Sequence, residues 1–294
     1  IDFIRKKKEG PWFFSFNCFD PHHPFDPPAD YLSRFQVDDM PLPSTHPDEE
    51  DSKTSFQRLD RIWAHDNPGE FHTAKMTDLD RRQVCAAYLA MVALIDEQVG
   101  RILEALEESG QAEDTLVVFM SDHGEMLGDH GIYFKGPHFY DCQLRVPLVM
   151  RWPAGGIVSN RRIEGMIELI DLAPTFLDAA GLAIPQRVQG RSILPMLRGG
   201  EEIKYCRKQV YAEYYNSWTH NDAYGTMLRT EREKIVVYHG TDQGEFYDLE
   251  SDPEEFFNLW NNPGAEKRKN EMIARCFDAS VFSMDPHPPR LGPF

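Results

Sequence analysis

The sequence predicts an α/β protein: a doubly wound, mostly parallel sheet with helices on both faces, followed by a small antiparallel sheet with a helix. Three observations predict this. Leu116–Met120 is a short apolar, β-branched run that reads as a strand buried on both faces, as in a parallel sheet. Thr77 to Ser109 carries apolar residues at helical spacing and leads directly into that run, giving helix-then-strand order. From about Glu201 the pattern changes to short strands at close spacing. The expected division is therefore 1–200 for the main α/β part and 201–294 for a C-terminal α+β subdomain.

Ile1 to Phe16 reads as the end of a helix running into a second buried strand, Trp12 to Phe19. The prolines at 21, 24, 27 and 28 end that strand and force an extended loop. His22 and His23 sit on this stiffened loop, where an imidazole is well placed for acid–base work. Tyr31 to Asp78 is polar, acidic and proline-containing, and reads as a long surface excursion. His46, His65 and His72 lie in it without any distinguishing pattern. The helix that follows is capped by Thr77 with Asp80 and ended by Gly110. Arg145 to Pro153 is another strand with proline at its edges. Glu168 to Ala180 is a helix ending at Gly181, and Gln189–Ser192 opens a short helix to Leu197. Gln209–Tyr215, Tyr224–Thr230, Glu233–Tyr238 and Gly244–Leu249 are the strands of the second sheet. Asp252 and Pro253 read as the start of a helical turn, and a terminal helix follows. The loop with Asn216, Trp218 and His220 is within reach of a pocket, and the tail from Asp285 reads as a proline-rich arm.

Composition narrows the function. A net charge of −17 argues against nucleic acid or an anionic membrane surface as partner. It also means that a pocket for anionic esters must reverse the field locally with a metal and basic side chains. No apolar run approaches membrane-spanning length, and no signal peptide is recognised. The expectation is a soluble chain of undetermined compartment, with self-association into a homo-oligomer left open. The five cysteines show no CxxC spacing and frame neither a zinc site nor a disulfide scaffold.

The chemistry concentrates at Ser121-Asp122-His123-Gly124, where the strand ends. In open α/β sheets, ligands gather at the carboxyl ends of strands. Beyond the strand end, adjacent residues can converge on one ion, and carboxylate plus imidazole suits a divalent metal. On these residues alone, a capped turn with a surface histidine competes with a metal site.

The longer stretch SDHGEMLGDHGIYFKGPHFYDCQLRVPLVMRWP resembles the metal-and-lysine segment of the sulfatases, in the alkaline phosphatase superfamily. The resemblance implies metal binding by Asp122 and His123, and sulfate contact by Lys135. It gives no ligand role to the second Asp129-His130-Gly131. The P-H-x-P-F pattern at Pro21–Phe25 is similar to the family's histidine loop, which makes His22 the catalytic candidate and His23 its neighbour in substrate binding. His138 is close enough in sequence to Lys135 to line the same pocket as a substrate-binding candidate, and equally reads as a residue behind it or at the surface. Also implied are hydrolysis of a small-molecule or saccharide sulfate ester, a divalent metal (calcium first, with manganese or zinc as alternatives) and a formylglycine nucleophile. That nucleophile is made from a C/S-x-P/A-x-R signature, which follows none of the five cysteines. The resemblance therefore matches only the later part of the family's sequence and implies a fragment, or a product lacking its N-terminal half-site. A phosphonate monoester or phosphodiester hydrolase of the same superfamily, and a non-catalytic remnant that binds sulfated ligands, are the alternatives. If the reading holds, His22 and Lys135 must converge on one cavity shared with Asp122.

Overall fold

The computed structural model describes residues 1–6, 9–66, 73–200, 206–215 and 223–284. His72, the loop with Asn216, Trp218 and His220, and the tail from Asp285 lie outside the described residues. Eight helices occur within the described residues: α1 (Asp2–Arg5), α2 (Ala29–Leu32), α3 (Ser55–Asp66), α4 (Asp78–Glu108), α5 (Asp141–Leu144), α6 (Leu172–Ala179), α7 (Leu194–Leu197) and α8 (Glu266–Phe282).

The long helix α4 forms where its sequence periodicity placed it. Thr77 and Asp80 cap it reciprocally: the Asp80 carboxylate accepts from the Thr77 amide at 2.6 Å, and Thr77 Oγ1 accepts from the Asp80 amide at 3.3 Å. Gly110 takes φ +69° just past its end. Its buried face includes Ala86, Ala90, Met91, Ala105 and Leu106. Ile4 of α1 packs against Ala105, Leu106 and Ala112, which ties the start of the chain to the end of α4.

Strand β1 (Val117–Met120) follows α4, and β2 (Leu148–Arg151) pairs with it, Val117 opposite Arg151 and Met120 opposite Leu148. The pairing is antiparallel, so β1 and β2 differ in direction from the parallel arrangement expected. Nor is β1 buried on both faces: Phe119 and Met120 are 39% and 40% exposed. Trp12 to Phe19 is a correction as well. It runs without forming a strand, and Phe13 and Phe19 are 76% and 70% exposed. An apolar run becomes a strand only when a neighbouring backbone accepts its hydrogen bonds. None does so here among the described residues.

The C-terminal sheet agrees closely with expectation. It is an antiparallel meander of β3 (Gln209–Tyr215), β4 (Tyr224–Thr230), β5 (Glu233–Tyr238) and β6 (Gly244–Asp248). Alternation along the strands gives it two apolar faces. Leu228, Ile235 and Phe246 pack against Met272 and Cys276 of α8. Met227, Val236 and Tyr238 pack against Phe56 of α3 and Phe139. The expected helical turn at Asp252–Pro253 is a non-helical turn, held by the Asp252 carboxylate, which accepts from the amides of Phe256 and Phe257 at 3.0 and 2.8 Å.

Two buried charge clusters join this sheet to the rest. Lys234, fully buried in β5, donates to Phe139 O at 2.9 Å and lies 2.6 Å from Asp141 Oδ1 and 2.5 Å from Glu255 Oε1. Arg229 of β4 grips Asp141 with two nitrogens at 3.1 and 3.0 Å. Burial pushes the Asp141 carboxyl up, but Lys234 and Arg229 outweigh it and hold the group below the usual range. Burial dominates at Glu255 and raises it despite Lys234. The difference follows from exposure, since Glu255 is 2% exposed against 18% for Asp141, and Arg229 grips only Asp141. In the second cluster, Arg207 pairs with buried Asp171 at 2.5 Å and with Glu168 at 3.0 Å.

Candidate active site

The candidate residues lie on three short segments: the histidine loop, the end of β1, and the Lys135 loop. At the end of β1, the Asp122 carboxylate accepts from the His123 amide at 3.0 Å. His123 Nδ1 lies 2.8 Å from the carbonyl of Gly124. A carbonyl only accepts, so Nδ1 carries the proton and the Nε2 lone pair is left for another partner. That nitrogen is 3.7 Å from Asp122 Oδ2, and the side chains are 41% and 82% exposed. A carboxylate oxygen and an imidazole nitrogen at this separation fit one divalent ion, with the His123 tautomer already set for ligation. Two donors are the whole set: no group of three or more metal-ligating side chains occurs among the described residues.

Between Gly124 and Lys135 the chain folds back on itself. The Gly124 amide donates to Gln143 O at 2.7 Å, Met126 N to Phe134 O at 3.0 Å, and Gly128 N to Ile132 O at 2.8 Å. Gly124 is required by close approach, because a Cβ there would stand 2.0 Å from the Cys142 carbonyl oxygen. The turn holds three non-glycine residues in the left-handed region: Leu127 at φ 46°, His130 at 55° and Phe134 at 68°. Lys135 follows Phe134 at once.

Lys135 Nζ is in hydrogen-bond contact with His22 Nε2, across 113 residues of sequence. The opposite nitrogen, Nδ1 of His22, faces the carbonyl of His23 at 2.6 Å. By the same tautomer argument, Nδ1 donates and Nε2 receives a proton bond from the lysine. His23 stacks on His22 at 4.1 Å and lies 4.2 Å from the Phe134 ring, between the two loops. Burial, with His22 and Lys135 nearby, lowers its pKa to about 4, so the ring is neutral near pH 7. His22 and Lys135 thus meet without the pair of parallel strands expected to bring them together.

His138 is placed elsewhere. Its side chain is fully buried, and Nε2 sits 2.7 Å from Asp60 Oδ2 of α3. Its burial overturns the surface reading, and the Asp60 contact favours a position behind the candidate pocket. His130 of the second DHG is also internal: it stacks on Tyr140 at 3.7 Å and meets Glu49 at 2.8 Å.

One residue of this region escaped the sequence reading. Glu125 Oε1 accepts from the amides of Leu127 at 3.1 Å and Phe134 at 2.6 Å. Burial raises its carboxyl above the usual range, while those two amides, Lys135 and His123 pull the other way. Its charge is therefore felt by His123 and by the lysine. A glutamate directly after a metal-type DHG was the available signal.

Against known proteins, the sulfatase family model matches residues 1–182, and the model for the C-terminal part of N-sulphoglucosamine sulphohydrolase matches 128–280. This chain belongs to the sulfatase family. Among sulfatase relatives, an arylsulfatase of Clostridium perfringens is 30% identical over 274 residues, covering 91% of this chain and 53% of the relative. A multifunctional alkaline phosphatase superfamily protein of Trinickia caryophylli is 31% identical over 281 residues, covering 90% of this chain and 54% of the relative. The solved structure of a phosphonate monoester hydrolase of Agrobacterium radiobacter superposes with TM-score 0.83 at 29% identity, over 97% of this chain and 60% of that one. The chain spans about half the length of the curated relatives it matches. No described helix is long and apolar enough to cross a membrane.

Proposed function

We propose that this chain carries the cation-and-proton part of a site that hydrolyses sulfate esters. The observation that carries the proposal is the contact of Lys135 Nζ with His22 Nε2. An ammonium and an imidazole from distant parts of the chain are in contact there, which supports a shared role in charge neutralisation and proton transfer. Lys135 and His123 both pull on the Glu125 carboxyl, which supports counting the Asp122–His123 pair in the same site.

In this reading, Lys135 turns from His22 to an oxygen of the transferring group and neutralises charge that grows in the transition state. His22, with Nδ1–H anchored on His23 O, is freed at Nε2 when Lys135 turns away, takes up a proton there from solvent to become the imidazolium, and passes that proton to the leaving oxygen. Asp122 and His123 would hold a divalent ion, calcium by the resemblance, which when bound supplies Lewis-acid neutralisation of the ester oxygens. His23, neutral and packed between the loops, lines the substrate side. The nucleophile implied by the resemblance is formylglycine, and the signature that encodes it follows none of this chain's cysteines. We place the nucleophile on residues other than these 294. The division near residue 200 is kept as a proposed domain boundary.

A second reading, a phosphonate monoester hydrolase, is favoured by the phosphonate monoester hydrolase likeness over 97% of the chain. Relative kcat/KM on an aryl sulfate and an aryl phosphonate monoester, measured with the complete protein, tests the choice. A higher value on the sulfate is expected, and a clear preference for the phosphonate would overturn it.

A further inference from the structure

We propose that Glu125 is a positioning residue that sets Lys135 against His22 by holding the two ends of the 125–134 turn. Leu127 and Phe134 both occupy the left-handed region, at φ 46° and 68°. That region is costly for a residue with a branched or aromatic side chain, and such strain persists only where surrounding contacts impose it. A single oxygen, Oε1 of Glu125, accepts the amide hydrogens of these same two residues. Hydrogen bonds to a charged acceptor are stronger than those between neutral groups, and this acceptor is largely removed from water. The carboxylate therefore acts as a pin at the two bends of the turn.

The pin has a direct consequence for the neighbouring residue. Phe134 precedes Lys135, so its unusual backbone angle decides which way the lysine leaves the turn. It also sets the Phe134 ring 4.2 Å from His23, the ring on which His22 stacks. Relaxing Phe134 to an ordinary angle would swing Lys135 and withdraw the support of His23 in one movement. Glu125 itself touches neither His22 nor Lys135 by any hydrogen bond; it acts on them through Phe134. The proposal rests on the assigned roles of Lys135 and His22 only for the reaction it serves, since the placement itself can be read without turnover.

The test is imidazole nitrogen NMR of His22 in the 294-residue chain. Lys135→Met supplies the reference signal for a His22 that has lost its lysine. Glu125→Ala is expected to reproduce that signal, whereas Glu125→Gln keeps the wild-type signal, because an amide oxygen still accepts both backbone hydrogens. Amide exchange in the wild-type chain gives a second reading that needs no variant: Leu127 and Phe134 are expected to be protected well beyond ordinary loop amides. In the complete enzyme, Glu125→Ala should lose on the order of 100-fold in kcat/KM on an aryl sulfate, the cost of a displacement of about 1 Å, with Gln restoring most of it. A folded Glu125→Ala chain with the wild-type His22 signal, a Gln variant that behaves like Ala, or fast exchange at the two amides would each overturn the proposal. Absent sulfate turnover with an intact NMR pattern would instead count against the proposed reaction.

Discussion

Lys234→Met should be among the most damaging single changes in this chain. The ammonium is fully buried, donates to Phe139 O and Asp141 Oδ1, and forms an ion pair with Glu255 Oε1 at 2.5 Å. Methionine fills similar volume but leaves Glu255 as a buried carboxylate with the Asp141 amide, at 2.8 Å, as its remaining donor. Breaking a buried pair by removing one partner costs about 3–5 kcal/mol. Against a typical stability of about 5–15 kcal/mol, that is a large share. At about 2–4 °C per kcal/mol for domains of this order of size, the melting temperature should fall by roughly 10 °C. Urea unfolding followed by circular dichroism gives the midpoint, and an unchanged slope keeps the comparison valid. Adding Glu255→Gln should recover part of the loss, because Asp141 keeps its two bonds to Arg229. A loss below about 1 kcal/mol, the range of exposed ion pairs, would refute the claim that this cluster fastens the sheet to the Lys135 loop.

Four other outcomes are expected. Lys135→Ala in the complete enzyme should lower kcat by about 10²–10³, as for other donors aimed at developing charge; an unchanged kcat would remove the lysine from the chemistry. His22→Ala should slow esters with poor leaving groups more than those with good ones, read as a steeper dependence of log kcat on leaving-group pKa. Asp122→Ala should weaken divalent-metal binding in the complete protein, and equal affinity by calorimetry would cancel the assignment. His23, with its pKa lowered to about 4, resists protonation only when folded. Its contribution to stability is therefore present above about pH 6.5 and lost as pH falls from there toward 4. His23→Gln should flatten that part of the urea-midpoint profile, and an unaltered profile would show that the ring is not the responsible group.

The parts of this molecule that sequence reveals are those where local pattern and tertiary environment agree. The strands Gln209–Tyr215, Tyr224–Thr230 and Glu233–Tyr238 end where their composition said, because each is bounded by turn residues and pairs with its chain neighbour. Helix α4 was legible for the same reason, its cap and apolar stripe both being local. Trp12–Phe19 had the right composition for a strand, but pairing is a property of a partner that composition does not contain. The DHG and Lys135 candidates stood out through the resemblance of their stretch to the sulfatases' metal-and-lysine segment. By contrast, the engagement of His138 by Asp60 joins residues 78 apart, and no short pattern marks it. Glu125 was hidden differently: its partners are backbone amides, which every sequence offers at every position.

The distances along the chain between partners also order the events of folding. The hairpins β4–β5 and β5–β6 close through connections of two and five residues, so their loop-closure cost is met early and cheaply. The Lys135–His22 contact closes a loop of 113 residues and gains nothing until both loops are already shaped. Substitutions in the meander should therefore slow refolding, while substitutions at the site should leave the refolding rate almost untouched and change only how fast the native state comes apart, which stopped-flow chevrons would separate. The candidate site is thus expected to set last and loosen first, so loss of the Lys135–His22 contact during slow denaturation should precede loss of the sheet.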